Sequence, residues 1–271
     1  MFEQRSIGFI GGGNMGEALV RGLLGASLFP AEKVYVYDVS PSRTEYLAGK
    51  YGIRVGGSVA ETVHACDIVV LSVKPQVVPA VLAELGADFS RTPLVVSIAA
   101  GITVATIENA LPEGAAVVRV MPNTPALVLE GASALSRGKA VSTEQMEMSL
   151  ALFKAVGKAV EVEEKWMDAV TGLSGSGPAY VLLMIEAMVD GGVLMGIPRN
   201  IARELVVQTF VGTSLMLSES GKHSAEMKDM ITSPGGTTIQ GLKVLEAKGV
   251  RGALFEAVEA AAKRSEELGK H

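Results

Sequence analysis

The strongest constraint on this chain lies in its first twenty residues. Ile7-Gly8-Phe9-Ile10 is an apolar run of strand length, Gly11-Gly12-Gly13-Asn14-Met15-Gly16 follows without a break, and Glu17-Ala18-Leu19-Val20 opens a helical pattern. A glycine turn joining a buried strand to a helix is the G-x-G-x-x-G arrangement that seats a dinucleotide. Each glycine has a task there: Gly11 makes the tight turn, Gly13 lets a pyrophosphate approach the backbone, and Gly16 lets the helix pack on the strand. The amides of Asn14 and Met15 then sit at a helix N-terminus, where free N–H groups and the dipole favour an anion.

The next 140 or so residues alternate β-branched runs with helical patterns, the signature of a parallel sheet covered on both faces. Strands are expected at Ser6–Ile10, Val34–Asp38, Ile68–Val73, Leu94–Ile98, Val117–Val120 and Ala159–Val162. Helices are expected at Asn14–Leu24, from Ser40-Pro41 onward, and at Val77–Leu85, Val104–Leu111 and Thr143–Val156. Ser40 as N-cap with Pro41 at the first helical position is a good start signal. Asp38 closes the second strand, where a carboxylate accepts hydrogen bonds from the adenine ribose and repels a 2′-phosphate. That favours NADH. Ser40, Ser42 and Arg43 follow within a turn and offer phosphate contacts, so NADPH stays open.

After Glu163 the strand runs stop and the pattern becomes helix, glycine, helix. The expected organisation is therefore a Rossmann-type α/β domain over residues 1–163 and an all-α domain over 164–271. Hydrophobic residues form 48% of the chain, charged residues 20%, and the mean hydropathy is +0.35, more apolar than a typical soluble monomer. The uncharged stretch Thr92–Ile107 contains Pro93 and Gly101 and falls short of the ~20 apolar residues that span a bilayer. No membrane segment is expected, and the surplus is assigned to a subunit interface. Ala179–Val189 is apolar on almost every face, and the next helix carries Ile201, Leu205, Phe210 and Leu215. Both are too apolar for the surface of a small domain, which implies a homodimer or an oligomer of dimers. The alternative is that the first of them is the central helix of its own domain.

Other classes are disfavoured. The start, Met1 to Arg5, lacks the layout of a signal peptide, so a cytoplasmic protein is expected. The single cysteine, Cys66, makes no internal disulfide and reads as a buried thiol. A net charge of −5 without a basic cluster argues against a nucleic-acid partner, and His64, His223 and His271 have no metal-ligand spacing. The partner implied is a small-molecule substrate.

Ligands of open α/β sheets bind beyond the carboxyl ends of the strands. The loops there are Val73-Lys74-Pro75-Gln76, Ala99-Ala100-Gly101 and Met121-Pro122-Asn123-Thr124-Pro125, which suit the wall of a nicotinamide site. In the helical half, Gly172–Tyr180 and Ser233–Ile239 are rich in glycine, hydroxyls and proline, and each leads into a helix. Both are expected to present amides and hydroxyls to a carboxylate.

With these segments in place, the chain resembles the pyrroline-5-carboxylate reductase family over nearly its whole length. The resemblance rests on Phe9 to Gly16, Val73 to Gln76, Met121 to Pro125, Gly172 to Tyr180, and above all Lys228-Asp229-Met230 with Ser233 to Ile239. It implies a Rossmann domain followed by a helical dimerisation domain, an architecture like that of 6-phosphogluconate dehydrogenase, and NAD(P)H-dependent reduction of 1-pyrroline-5-carboxylate to L-proline. It also implies cofactor contacts from Gly11, Gly13, Asn14, Met15, Gly16, Asp38, Ser40, Val73, Lys74, Pro75, Ala99, Ala100 and Gly101. The substrate carboxylate would lie against Gly236, Thr237 and Thr238, with Glu164 and Met230 lining the pocket and Thr238 bonded to the ring nitrogen as the catalytic contact. Some relatives carry asparagine where this chain has Ser58 or Val59, which leaves a ribose contact in doubt. Two other readings remain. A 3-hydroxyacid dehydrogenase of similar architecture would show G-x-x-G-x-G-x-x-x-K, and Gly172, Gly175 and Gly177 match but Val181 stands in place of the lysine. A non-catalytic dinucleotide sensor would keep Gly11 to Gly16 but need no anion-binding turn at Ser233 to Thr238.

Overall fold

The structure, a computed structural model, describes residues 2–87, 89 and 92–269. Its strands are β1 (Ile7–Ile10), β2 (Val34–Tyr37), β3 (Arg54–Val55), β4 (Ile68–Leu71), β5 (Leu94–Ser97), β6 (Val117–Met121), β7 (Gly131–Arg137) and β8 (Gly157–Glu161). The helices are α1 (Asn14–Gly25), α2 (Pro41–Tyr51), α3 (Val59–Ala65), α4 (Val78–Ala87), α5 (Val104–Ala110), α6 (Thr143–Lys154), α7 (Met167–Val170), α8 (Gly177–Leu194), α9 (Arg199–Ser220), α10 (Ser224–Met230), α11 (Thr237–Ala247) and α12 (Val250–Leu268). They form two compact units, one running to Ser176 and including the stretch from Ala260, the other Gly177–Glu259.

The first unit is a single sheet of order β3-β2-β1-β4-β5-β6-β7-β8. Its pairs are parallel except β6 with β7, where Val118 faces Arg137. The order reverses between β1 and β4, the place where such sheets open a crevice for ligands. Along a strand successive side chains point to opposite faces. Phe9 accordingly joins Leu19, Leu23 and Phe153 on one face, and Ile10 joins Val69, Leu82 and Ile107 on the other. Cys66 is buried in the second of these cores, and Gly8 is there because a Cβ would stand 2.9 Å from its Sγ.

Several elements depart from the sequence expectation. The strands expected to reach Asp38, Val73 and Ile98 stop at Tyr37, Leu71 and Ser97, so those residues sit in the rim loops instead. Strand β7, Gly-Ala-Ser-Ala-Leu-Ser-Arg, has no β-branched residue and was not anticipated; its Ser133 and Ser136 are buried. Helix α3 and the two-residue β3 were likewise too short to show a period.

The sheet unit extends past the composition change at Glu163. Met167 is fully buried, and Ser265 Oγ at the end of α12 donates to Asp168 Oδ1 at 2.6 Å. The second unit has little core of its own: among the described residues its buried hydrophobics are Val189, Ala202 and Met227. Leu182, Leu183, Leu194, Leu205 and Phe255 are all more than half exposed. The helical run Glu164–Leu194 has a window of mean hydropathy 1.4, long and apolar enough by length and composition to cross a membrane.

Candidate active site

The glycine turn leaves β1 at the reversal point. Gly11 has φ +104°, and a Cβ on it would lie 2.6 Å from the Ser72 carbonyl oxygen, so no L side chain fits. Ser72 Oγ donates to the Gly11 carbonyl at 2.7 Å and fixes the turn against β4. A Cβ on Gly16 would meet that same carbonyl at 2.7 Å, whereas a Cβ on Gly13 would meet nothing within 4 Å. Gly13 therefore faces open space. It is also the N-cap of α1 and brings no side-chain cap, so the amides of Asn14 and Met15 are left for a ligand.

At the end of β2, Asp38 Oδ2 accepts the Gly12 amide at 2.7 Å and Oδ1 accepts the Ser40 amide at 2.9 Å. The carboxylate thus links the glycine turn to the start of α2. Ser40 stands at the N-cap as expected, but its hydroxyl pairs with Ser42 Oγ at 3.1 Å. Arg43, one position further, is turned onto α1, with Nε donating to the Gly12 carbonyl and Nη2 paired with Glu17.

The remaining rim comes from β4, β5 and β6. Val73 and Lys74 follow β4 and lead into a short turn at Pro75–Val77, while Ala99, Ala100 and Gly101 follow β5, with Gly101 at φ +76°. Glu164 lies at the same rim: its Oε1 accepts both Arg119 Nη1 at 2.9 Å and the Val104 amide at 3.1 Å. Arg119 is buried in β6, and Glu164 Oε2 is buried with no hydrogen-bond partner among the described residues. Neither Arg119 nor Asn123 was singled out by sequence as a contact. Asn123 is buried and bridges the Ser174 carbonyl at 3.0 Å to the Ala132 amide at 2.8 Å. It acts as a staple for the Met121–Pro125 loop.

The segment Gly172–Tyr180 differs from expectation. It is not a turn that exposes amides: Thr171–Gly175 forms a π-helical turn, Ser176 N–H bonds the Thr171 carbonyl at 2.8 Å, and α8 starts at the next residue. Ser174 Oγ and Thr171 Oγ1 donate back to carbonyls four residues earlier.

In the second unit, Ser233–Gly236 makes the expected turn. Gly235 has φ +69°, the Gly236 amide bonds the Ser233 carbonyl at 3.1 Å, and Gly236 caps α11 without a side-chain partner. The first amides of α11, on Thr237 and Thr238, are thus available to an anion. Thr238 is half-buried, and Met230, the last residue of α10, is exposed.

Residues 164–268 match the model of pyrroline-5-carboxylate reductase dimerisation, and residues 6–101 match that of NADP oxidoreductase, coenzyme F420-dependent. The chain is 48% identical to a pyrroline-5-carboxylate reductase of Synechocystis, over 97% of this chain and 98% of the relative. It is similar to the solved pyrroline-5-carboxylate reductase of Coxiella burnetii, with TM-score 0.93 and 34% identity over 97% of this chain and 98% of that one. The Plasmodium falciparum pyrroline carboxylate reductase with NADP bound gives TM-score 0.88 and 35% identity, over 99% and 100% of the two chains.

Proposed function

The chain belongs to the pyrroline-5-carboxylate reductase family, and we propose that it reduces 1-pyrroline-5-carboxylate to L-proline with a reduced nicotinamide dinucleotide, NADH being preferred. The observation that carries the reading is the turn at Gly11–Gly16, whose open Gly13 and uncapped α1 amides fit a diphosphate at the reversal point of the sheet. The bound nicotinamide supplies the hydride that adds to C5 of the imine. Val73, Lys74, Pro75 and the Ala99–Gly101 loop wall its site. Asp38 keeps a negative charge beside the ribose position, which supports NADH over its 2′-phosphorylated counterpart.

The helical unit holds the substrate by its carboxylate, which the amides at Gly236–Thr238 bind without a charged side chain. Within that unit the Thr238 hydroxyl would hydrogen-bond the ring nitrogen and Met230 would face the substrate, while Glu164 is proposed as a substrate residue of the sheet unit. An imine is readily protonated, so the protein's contribution is orientation more than acid catalysis. No lysine occurs between Lys165 and Lys222, where a carbonyl reductase of similar architecture carries its acid. The exposed apolar faces of α8 and α9 are covered by a second copy of the chain, giving a homodimer.

The test is separate oxidation of NADH and NADPH with 1-pyrroline-5-carboxylate and with 3-hydroxyacids as controls. Imine-dependent turnover that is more efficient with NADH is expected, and Thr238→Ala should lower kcat/KM by about 10- to 100-fold with the cofactor Kd unchanged. Turnover of a 3-hydroxyacid alone would overturn the substrate, and a higher efficiency with NADPH would overturn the role of Asp38.

A further inference from the structure

Glu17 sits in the first turn of α1, the helix whose N-terminus faces the proposed diphosphate, and it is the hub of a cationic cluster. Its Oε2 pairs with Arg43. Its Oε1 accepts Lys50 Nζ at 3.0 Å, Tyr51 OH at 2.9 Å and Tyr46 OH at 3.4 Å. Arg43 is held through two of its three nitrogens, Nε on the Gly12 carbonyl and Nη2 on Glu17, with the guanidinium carbon 5.1 Å from the Tyr46 ring centre. Lys50 is drawn to the same side, over the rings of Tyr46 and Tyr51.

Arg43 lies one turn beyond Asp38, where an arginine in this fold otherwise receives the 2′-phosphate of NADPH. Its guanidinium here points to α1, and Ser40 and Ser42 are left facing one another. We infer that Glu17 is a specificity-determining residue: by binding Arg43 against the first turn of α1 it withholds that cation from a 2′-phosphate, and so works with Asp38 to favour the unphosphorylated ribose. This rests on the dinucleotide reading above. Glu17 touches neither reactant; it acts through Arg43. Burial opposes its ionisation, but hydrogen bonds from Arg43, Lys50 and Tyr51 hold the carboxyl down to about 2, so it stays charged across the working range.

The test measures equilibrium binding of adenosine 2′,5′-bisphosphate and of AMP by calorimetry, beside kcat/KM for NADPH and NADH. In Glu17→Gln the guanidinium loses its anionic partner. The ratio of bisphosphate to AMP affinity should rise by about three- to tenfold, with the NADPH-to-NADH efficiency ratio following it. Lys50→Met strips a competing cation from Glu17 and should move both ratios the opposite way. In an Arg43→Met background the Glu17→Gln change should shift neither. Equal weakening of both nucleotides in Glu17→Gln would make Glu17 a structural clamp between α1 and α2, and unchanged ratios with both nucleotides bound would likewise overturn the inference. If the unmodified protein binds neither nucleotide, it is the dinucleotide reading that fails.

Discussion

Arg119 Nη1 donates to Glu164 Oε1 at 2.9 Å, and the same oxygen accepts the amide of Val104 at the start of α5. One carboxylate thus ties the centre of β6 to the helix that leaves the Ala99–Gly101 loop. Because Arg119 is only 4% exposed, removing its partner strands a cation in the core. Glu164→Ala should therefore cost about 2–4 kcal/mol of stability and raise the KM for the imine, while Glu164→Gln keeps an acceptor and should cost less. Urea unfolding of the three proteins checks this. Equal stability of the alanine and glutamine variants would show that the charge pair is not what matters.

Gly11→Ala tests the turn itself. The backbone stands at φ +104° and the new methyl would press on the Ser72 carbonyl, so the turn must open for the variant to fold. Loss of cofactor affinity by more than about tenfold is expected, from strain of about 1–3 kcal/mol. Gly13→Ala meets no atom within 4 Å, so it should fold normally and weaken only nucleotide binding. Thermal melts with and without nucleotide separate the two outcomes.

What the sequence disclosed was what short stretches of chain decide. The turn at Gly11–Gly16 was legible because a glycine pattern between a strand and a helix fixes geometry over ten residues. The pairing of Glu17 with Arg43, 26 positions apart, and of Arg119 with Glu164, 45 apart, was not, since no local period places two long side chains together. Strand β7 escaped because its alanines and serines carry no β propensity and its place depends on pairing with β6 and β8. Gly172–Tyr180 looked like a turn by composition. The chain instead runs through a π-helical turn into α8, and the Thr171 and Ser174 hydroxyls bond back to carbonyls four residues earlier, which bends a helix without ending it.

The cluster around Glu17 also sets a pH dependence. The folded carboxyl titrates at about 2 against an ordinary 4.5, so its ion pairs stabilise the protein above pH 4.5 and that contribution is lost as pH falls towards 2. Equilibrium unfolding of the unmodified protein and of Glu17→Gln should show a stability gap at pH 7 that closes between pH 4.5 and 2. A gap independent of pH would mean that packing and neutral hydrogen bonds account for the difference.

The second unit makes the sharpest claim about assembly. A unit whose buried hydrophobics among the described residues are Val189, Ala202 and Met227 cannot offset the entropy of ordering its helices. Leu183 is 66% exposed and Phe255 69% exposed, so on an isolated chain their replacement by charge would change stability by no more than about 0.5 kcal/mol. If a second copy covers them, Leu183→Glu instead buries an unpaired charge and should weaken association by about 100-fold or more. Activity should then fall on dilution in step with the dimer fraction. Sedimentation of the unmodified protein and the variant, from micromolar to nanomolar concentration, reads this directly. A folded and fully active monomer at the lowest concentration would refute the dimer and leave the apolar faces of α8 and α9 without their proposed cover.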